Sequence, residues 1–281
     1  MKARGDRGYA MIAAIVAVAA FGFIAFQVIA QDRGVLAEVR GEAEQAKLTA
    51  ACNAGLMQAI HGLADPDPSQ RWGIDGRPRT SAFNGYALTV TVEDERGKVP
   101  LNGIIMEEAR QLFQFAGASG NQLDTLTDSF EDWEDVDNTA RPHGAEAAQY
   151  AGLGYKPRNA GFHTVEELRM IKGMTDDIYN RIAPAVTVFF GESGGFSEST
   201  SQILALEVLG EMGPNSMEVV QRQQQLAGTM AMPQSLAKAN LTGRTLTVRV
   251  EARQAGAHMR RTAIVELTGN PNDPYWLRYL D

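Results

Sequence analysis

Residues 86–94 read YALTVTVED, and residues 244–254 read RTLTVRVEARQ. In the first stretch Leu88, Val90 and Val92 point one way while Thr89 and Thr91 point the other. In the second, Leu246, Val248 and Val250 alternate with Thr or charged positions. This period of two marks half-buried strands. A further run, RRTAIVEL at Arg260–Leu267, follows the turn QAGA at 254–257. Neither the early strand nor the late pair makes a stable sheet alone. If they pair, everything between them is an insertion.

That intervening sequence has a helical pattern. GIIMEEARQLFQFAG, NQLDTLTDSFEDW, TVEELRMIKG, TDDIYNRIAPAV, QILALEVLGEM and NSMEVVQRQQQLAG follow one another between Gly103 and Gly228. Upstream, DPDPSQRWGIDGRPRT at Asp65–Thr80 is rich in turn formers. Asp94–Gly97 supplies a turn, and KVPLN continues extended to Asn102. The expected fold class is α+β, a small α/β domain interrupted by a large all-α insertion. Its boundaries fall at 63–102 and 237–281 for the discontinuous α/β domain and at 103–236 for the insertion.

The N-terminus reads MKARGDRG, then YAMIAAIVAVAAFGFIAFQVIA, then QDRGVLAEVRGEAEQAK. Tyr9–Ala30 carries no charge over 22 residues, enough helix to span a hydrocarbon core of ~30 Å. Lys2, Arg4 and Arg7 precede it, which places the N-terminus in the cytoplasm and the rest across the membrane. The apolar run is longer than an ordinary secretory signal. An irregular apolar stripe continues through Leu36, Val39, Ala43, Ala46, Leu48, Ala51, Leu56 and Ile60 without a proline. Two readings follow: one continuous helix of about fifty residues, half in lipid, or a plain signal anchor.

Composition narrows the function classes. The net charge of -8 makes the surface repel nucleic acid. A single cysteine, Cys52, excludes an intramolecular disulfide, and with four histidines a zinc site of His/Cys spacing is disfavoured. No GxSxG, HExxH or P-loop sequence is present, so no catalytic constellation emerges and the chain reads as a non-enzymatic subunit.

Several local patterns together resemble one family, the type II secretion minor pseudopilin K. The sequence RG followed by YAMIAAIVAV resembles a prepilin peptidase site. The resemblance implies removal of residues 1–8 after Gly8 and methylation of the new N-terminal Tyr9. The mature helix would then run over 9–62. GKVPLN at Gly97–Asn102 resembles the strand end before the family's helical insertion. EDWEDVDNTARPHGAEAAQY resembles its DWxDxD…GAE…Y segment, with Asp132, Trp133, Asp135, Asp137, Gly144, Ala145, Glu146 and Tyr150 in place. YKPRNAGFHTVEELRMIKGMT resembles the stretch that follows. The fifth residue after the cleavage point is Ala13 rather than the glutamate of most pilin-like subunits, as is typical of protein K. One departure is GFSESTSQILALEVLG, where Ser197 and Ser199 stand in place of the family's asparagines.

The resemblance implies a minor pseudopilin that caps the tip of a periplasmic pseudopilus and helps initiate its assembly. Its implied partners are minor pseudopilins of the I, J and H types, the major pseudopilin, prepilin peptidase and inner-membrane lipid, with no nucleic acid. It also implies structural calcium in the helical domain.

The acidic stretch supports that ion independently. Five acidic residues crowd into Glu131–Asp137 around Trp133, and Glu146 follows. Such density is tolerable as a solvated loop or where a cation sits among the carboxylates. With Asp135 as position 1, Asp137 is position 3, Thr139 position 5, His143 position 9 and Glu146 position 12, the ligand spacing of an EF-hand loop. Ala140 stands where that loop requires glycine, so the backbone path must differ. Asp132 and Glu131 on the preceding turn can complete the set. The expected metal residues are Asp132, Asp135, Asp137, Thr139 and Glu146, with Trp133 packing the helix end into the core.

Thr164–Val186 has the pattern of a helix-hairpin-helix, with a Thr164/Glu167 capping box. The alternative function it suggests is a membrane-tethered DNA receptor. Its hairpin, Gly173-Met174-Thr175, lacks the second glycine, and Asp176 and Asp177 open the next helix, where they repel phosphate. A third reading, a calcium-dependent hydrolase on a signal anchor, finds no residues for the chemistry.

Overall fold

The computed structural model describes residues 6–67, 69–74, 76–191, 195–210, 241–270 and 272–281. Helix α1 (Asp6–Leu63) runs unbroken for 58 residues. Its side chains are described over 11–27 and from 38 onward. Met11, Ile15, Phe21, Phe23 and Phe26 stand fully in the open. Among the described residues no helix is long and apolar enough to cross a membrane. The ends of the charge-free run, 9–10 and 28–30, fall outside the described side chains. The Tyr9 side chain, next to the expected cleavage point after Gly8, is thus among those not described.

The C-terminal quarter of α1 packs on a five-stranded sheet of order β1-β2-β5-β6-β7. Its strands are β1 (Arg79–Phe83), β2 (Tyr86–Asp94), β5 (Thr245–Gln254), β6 (Ala257–Asn270) and β7 (Asp273–Leu280). The short strands β3 (Val99–Pro100) and β4 (Val186–Thr187) form a separate parallel pair. The two stretches that opened the sequence reading do pair, antiparallel, with Val90 opposite Val250 and Val92 opposite Val248. Two tight hairpins fix the register on either side. Asn84 and Gly85 (φ 47° and 84°) turn β1 into β2, and Ala255 and Gly256 (φ 47° and 88°) turn β5 into β6. Successive positive φ values match the right-handed twist of the flanking strands.

One face of the sheet meets α1. Ala51, Cys52, Leu56, Ala59, Ile60 and Leu63 pack with Leu88, Val90, Val92, Val248, Val250 and Val265. Gly55 lies so close to β5 that a Cβ there would sit 2.5 Å from Val250 Cγ1. The apolar stripe read along α1 is buried only from Leu48 onward; Val39, Ala43 and Ala46 are exposed, and the side chain of Leu36 is not among those described. The reason is geometric. Among the described residues the last bond from the sheet to the helix is that from Tyr86 Oη to Glu44 Oε1, 2.8 Å long, and Val39, further along, is left in the open.

The segment between β2 and β5 holds the second core. Helices α2 (Met106–Phe115), α3 (Gly120–Glu134), α4 (Asp176–Ile182) and α5 (Ile203–Leu209) enclose Leu112, Phe113, Leu126, Phe130, Trp133, Phe162, Leu168 and Ile182. The rings of Phe113, Phe130, Phe162 and Trp133 form a continuous chain with centroid spacings of 5.2–6.3 Å. Each such buried side chain stabilises the domain by roughly 1.5–3 kcal/mol.

The sequence pattern overstated helix here. Residues 135–164 run through turns and extended backbone, and TVEELRMIKG forms only a 3-10 turn at Val165–Met170. The expected capping box does not form. The Glu167 carboxylate is drawn to the Arg158 guanidinium at 2.7 and 2.9 Å and to Trp133 Nε1 at 3.4 Å, while the Thr164 side chain makes no capping bond. The helix expected at NSMEVVQRQQQLAG and the boundary at 236/237 lie outside the described residues.

Candidate metal centre

Helix α3 ends within the acidic stretch, at Glu134. Asp135 is its C-cap, with extended backbone (φ -70°, ψ 158°), and turns the chain away from the axis. Asp132, on the last turn, faces inward and its side chain is fully buried. The chain then loops back, so that Glu146 comes to the same place, only 2% exposed. One ligand atom each from Asp132, Asp135 and Glu146 lie within 4.8 Å of one another.

Gly144 makes the return possible: a Cβ at that position would sit 2.0 Å from Asp132 Oδ2. The Arg141 N–H donates to the Asp132 carboxylate at 3.2–3.3 Å. The Glu146 N–H donates to Gln149 Oε1 at 3.0 Å. These contacts fix the loop's backbone and engage Asp132, but not the carboxylate of Glu146. Both carboxylate oxygens of Glu146, and Oδ1 of Asp135, are buried without a hydrogen-bond partner among the described residues.

The electrostatics follow from this crowding. Burial, with the charges of Asp132 and Asp135 beside it, pushes the Glu146 carboxyl above its ordinary range. Burial also raises Asp132, against the pull of the Arg141 and Ala145 N–H groups. Glu134, at the end of α3, is pushed up to about 7 by burial and by Glu131. Buried carboxylates without partners are costly, and several together more so.

The donor set fits a hard divalent cation. Oxygens bound to Ca²⁺ at roughly 2.3–2.6 Å stand at most about 5 Å apart across the ion. Three carboxylates within 4.8 Å satisfy that geometry, and their orphaned oxygens are the groups such an ion would bind.

The expected ligand spacing converges only in part. Positions 1 and 12 of the loop, Asp135 and Glu146, meet, joined by Asp132 from outside it. Asp137 is exposed, and its Oδ1 accepts from the Thr139 N–H at 2.7 Å; Thr139 is exposed as well. His143 turns to Asp128, its N–H donating to Oδ2 at 3.0 Å. Glu131 is not among the converging carboxylates; the Arg141 Nη2 lies 3.3 Å from its Oε2. Trp133 packs the helix end into the core as expected. The role of Gly144 was missed from sequence; its signal was the glycine next to Ala145 and Glu146.

The hairpin of the expected helix-hairpin-helix is spent on this same loop. Lys172 N–H donates to Tyr150 Oη at 2.9 Å, and its Nζ donates to Gly144 O at 3.1 Å. Gln122 Nε2 bonds Gly173 O at 3.2 Å. The hairpin is a buttress for the acidic loop.

Comparison with known proteins gives one family. Residues 86–191 match the family model described as type II secretion system (T2SS), protein K. Curated relatives carrying the description type II secretion system protein K are 29% identical in Pectobacterium carotovorum over 42% of this chain and 39% of the relative. In Klebsiella pneumoniae the identity is 27% over 58% of this chain and 54% of the relative. In Dickeya chrysanthemi it is 35% over 28% of this chain and 22% of the relative. The matches therefore span about half or less of those relatives' length. A chain in the crystal structure of the GspK-GspI-GspJ complex from enterotoxigenic Escherichia coli shares the fold, with a TM-score of 0.65 and 13% identity over 87% of this chain and 98% of that one. The family resemblance read from the sequence is borne out.

Proposed function

We propose that this chain is a minor pseudopilin of a type II secretion system, of the protein K kind, capping the tip of a periplasmic pseudopilus and helping to initiate its assembly. The observation that supports this most strongly is the match of residues 86–191 to the protein K family model. That match begins on the strand before the insertion and runs through the acidic loop.

In this reading prepilin peptidase cleaves after Gly8 and methylates Tyr9. The charge-free run from Tyr9 anchors the mature chain once in the inner membrane, with the sheet and the helical insertion in the periplasm. Minor pseudopilins of the I, J and H types and the major pseudopilin pack along α1, whose exposed small residues Ala13, Ala14, Ala17 and Gly22 permit close approach. The role is structural, without catalysis.

Calcium is the proposed resident ion, held by Asp132, Asp135 and Glu146, with Asp137 and Thr139 on the exposed arm of the same loop. The ion would supply the positive charge that these buried carboxylates lack. Exported calcium modules bind with Kd of about 10⁻⁴–10⁻³ M, adequate where calcium is abundant.

The test is the mass of the N-terminal peptide from native protein purified from membranes. A peptide beginning at Tyr9 with an added methyl group is the expected result. An intact leader at Met1 would sink the filament role.

A further inference from the structure

Arg141 touches the acidic centre in two ways that are separable. Its backbone N–H positions Asp132 at 3.2–3.3 Å. Its guanidinium Nε lies 3.7 Å from Asp132 Oδ1, too far for a hydrogen bond. That Nε is buried and has no hydrogen-bond partner among the described residues. The head group reaches Glu131 Oε2 through Nη2 at 3.3 Å, with the side chain 37% exposed. The side chain thus brings positive charge to the mouth of the centre without holding its geometry, which the backbone does.

We infer that Arg141 is a built-in competing cation that sets the metal affinity of this loop; this rests on the calcium reading above. With no ion bound, the guanidinium offsets part of the charge on Asp132 and Glu131. When a dication enters, the same charge repels it and loses its favourable partner. Lys172, which reaches the loop from the hairpin, has its ammonium on the Gly144 carbonyl at 3.1 Å and acts on the backbone instead. Affinity is held down by a side chain that can be removed without disturbing the ligands.

The experiment compares the full chain in detergent with Arg141→Gln and Arg141→Lys, titrating calcium by calorimetry and following thermal unfolding with and without the ion. The expected result is that Arg141→Gln binds calcium at least about threefold more tightly, as a like charge removed from within ~6 Å implies. Arg141→Lys stays near the parent. Without calcium, Arg141→Gln melts at a lower temperature than the parent, and saturating calcium closes the gap. Equal or weaker binding by Arg141→Gln, beside a parent that saturates, overturns the competitor role alone. A parent that takes up no calcium, with Glu146→Gln behaving identically, overturns the calcium reading and this inference with it.

Discussion

Among the described residues, clustered carboxylates are buried at the junction of the two cores and at the end of α3, and the two places treat them in opposite ways. At the junction of the two cores, Asp94 and Glu95 are each 2% exposed. Glu95 Oε1 receives Lys98 Nζ at 2.6 Å, and its two oxygens also accept from the hydroxyls of Thr247 and Thr187. Asp94 Oδ2 is met by Arg244 Nη1 at 2.5 Å, and Oδ1 accepts the Arg96 N–H at 3.1 Å. The strands β2, β4 and β5 are tied together through these groups. At the end of α3, ligand atoms of Asp132, Asp135 and Glu146 converge within 4.8 Å of one another, yet Glu146 has no hydrogen-bond partner for either oxygen among the described residues. The chain can satisfy its own buried acids, and does so where the charge is structural. Where it does not, the proposed calcium ion would be the partner.

The largest expected effect breaks the satisfied side of this contrast. Lys98→Met leaves Glu95 buried with two hydroxyls and no cation. Removing one partner of a buried pair costs about 3–5 kcal/mol, which denaturant unfolding of the full chain would read as a lowered midpoint. Lys98→Met combined with Glu95→Gln removes both charges and recovers most of the loss. If the single and double variants are equally destabilised, the junction is held by packing and not by charge pairing.

The next effect sharpens the other side. Calcium at 10–100 times its Kd stabilises the chain by about 1.4–2.7 kcal/mol through mass action, and a chelator removes that increment. Glu146→Gln abolishes the calcium response, and because it removes an uncompensated buried charge it melts above the ion-free parent. Thermal unfolding with calcium and with chelator, on both proteins, decides this. A variant that melts below the ion-free parent would mean that Glu146 already has an internal partner.

The contrast also separates what was legible in the sequence from what was not. Period two at Leu88–Val92 and Leu246–Val250 was enough to pair strands across the helical insertion, because one face of a sheet must be apolar. The edge strand β7 was missed: DPYWLRYL shows no clean alternation, and Trp276, Leu277 and Tyr279 remain exposed. Helix was overread at 164–173 because the capping signature is local, while Glu167 answers to Arg158 and Trp133 instead. At the metal centre the residue types were legible but the pairing was not. EF-hand spacing counts along the loop, and with Ala140 in place of glycine Asp137 and Thr139 stay outside the group that Asp132 joins from the helix. The junction was not seen at all, since Thr187 and Thr247 lie far in sequence from the Glu95–Lys98 pair and meet it only once both domains are built.

The smallest predicted effect is a pH dependence at the satisfied cluster. Burial raises the Glu93 carboxyl, but Arg249 and Lys98 outweigh it, so the folded value lies below the ordinary 4.5. Arg249 Nη1 stands 2.5 Å from Oε1 and Lys98 Nζ 3.4 Å from Oε2. A carboxyl depressed on folding binds fewer protons in the native than in the unfolded chain. Its stabilisation is therefore complete above the unfolded value and fades as pH falls through the folded one. Glu93→Gln should lower stability at neutral pH and flatten the fall between about pH 5 and 3, as measured by denaturant midpoints at constant calcium. At the end of α3 the Asp132 and Glu146 carboxyls are shifted the other way, so the slope is read as the difference between variant and parent at the same calcium, in which their response is common. If Glu93→Gln leaves the acid slope unchanged, the pairing with Arg249 and Lys98 contributes geometry at the junction and no net charge stabilisation.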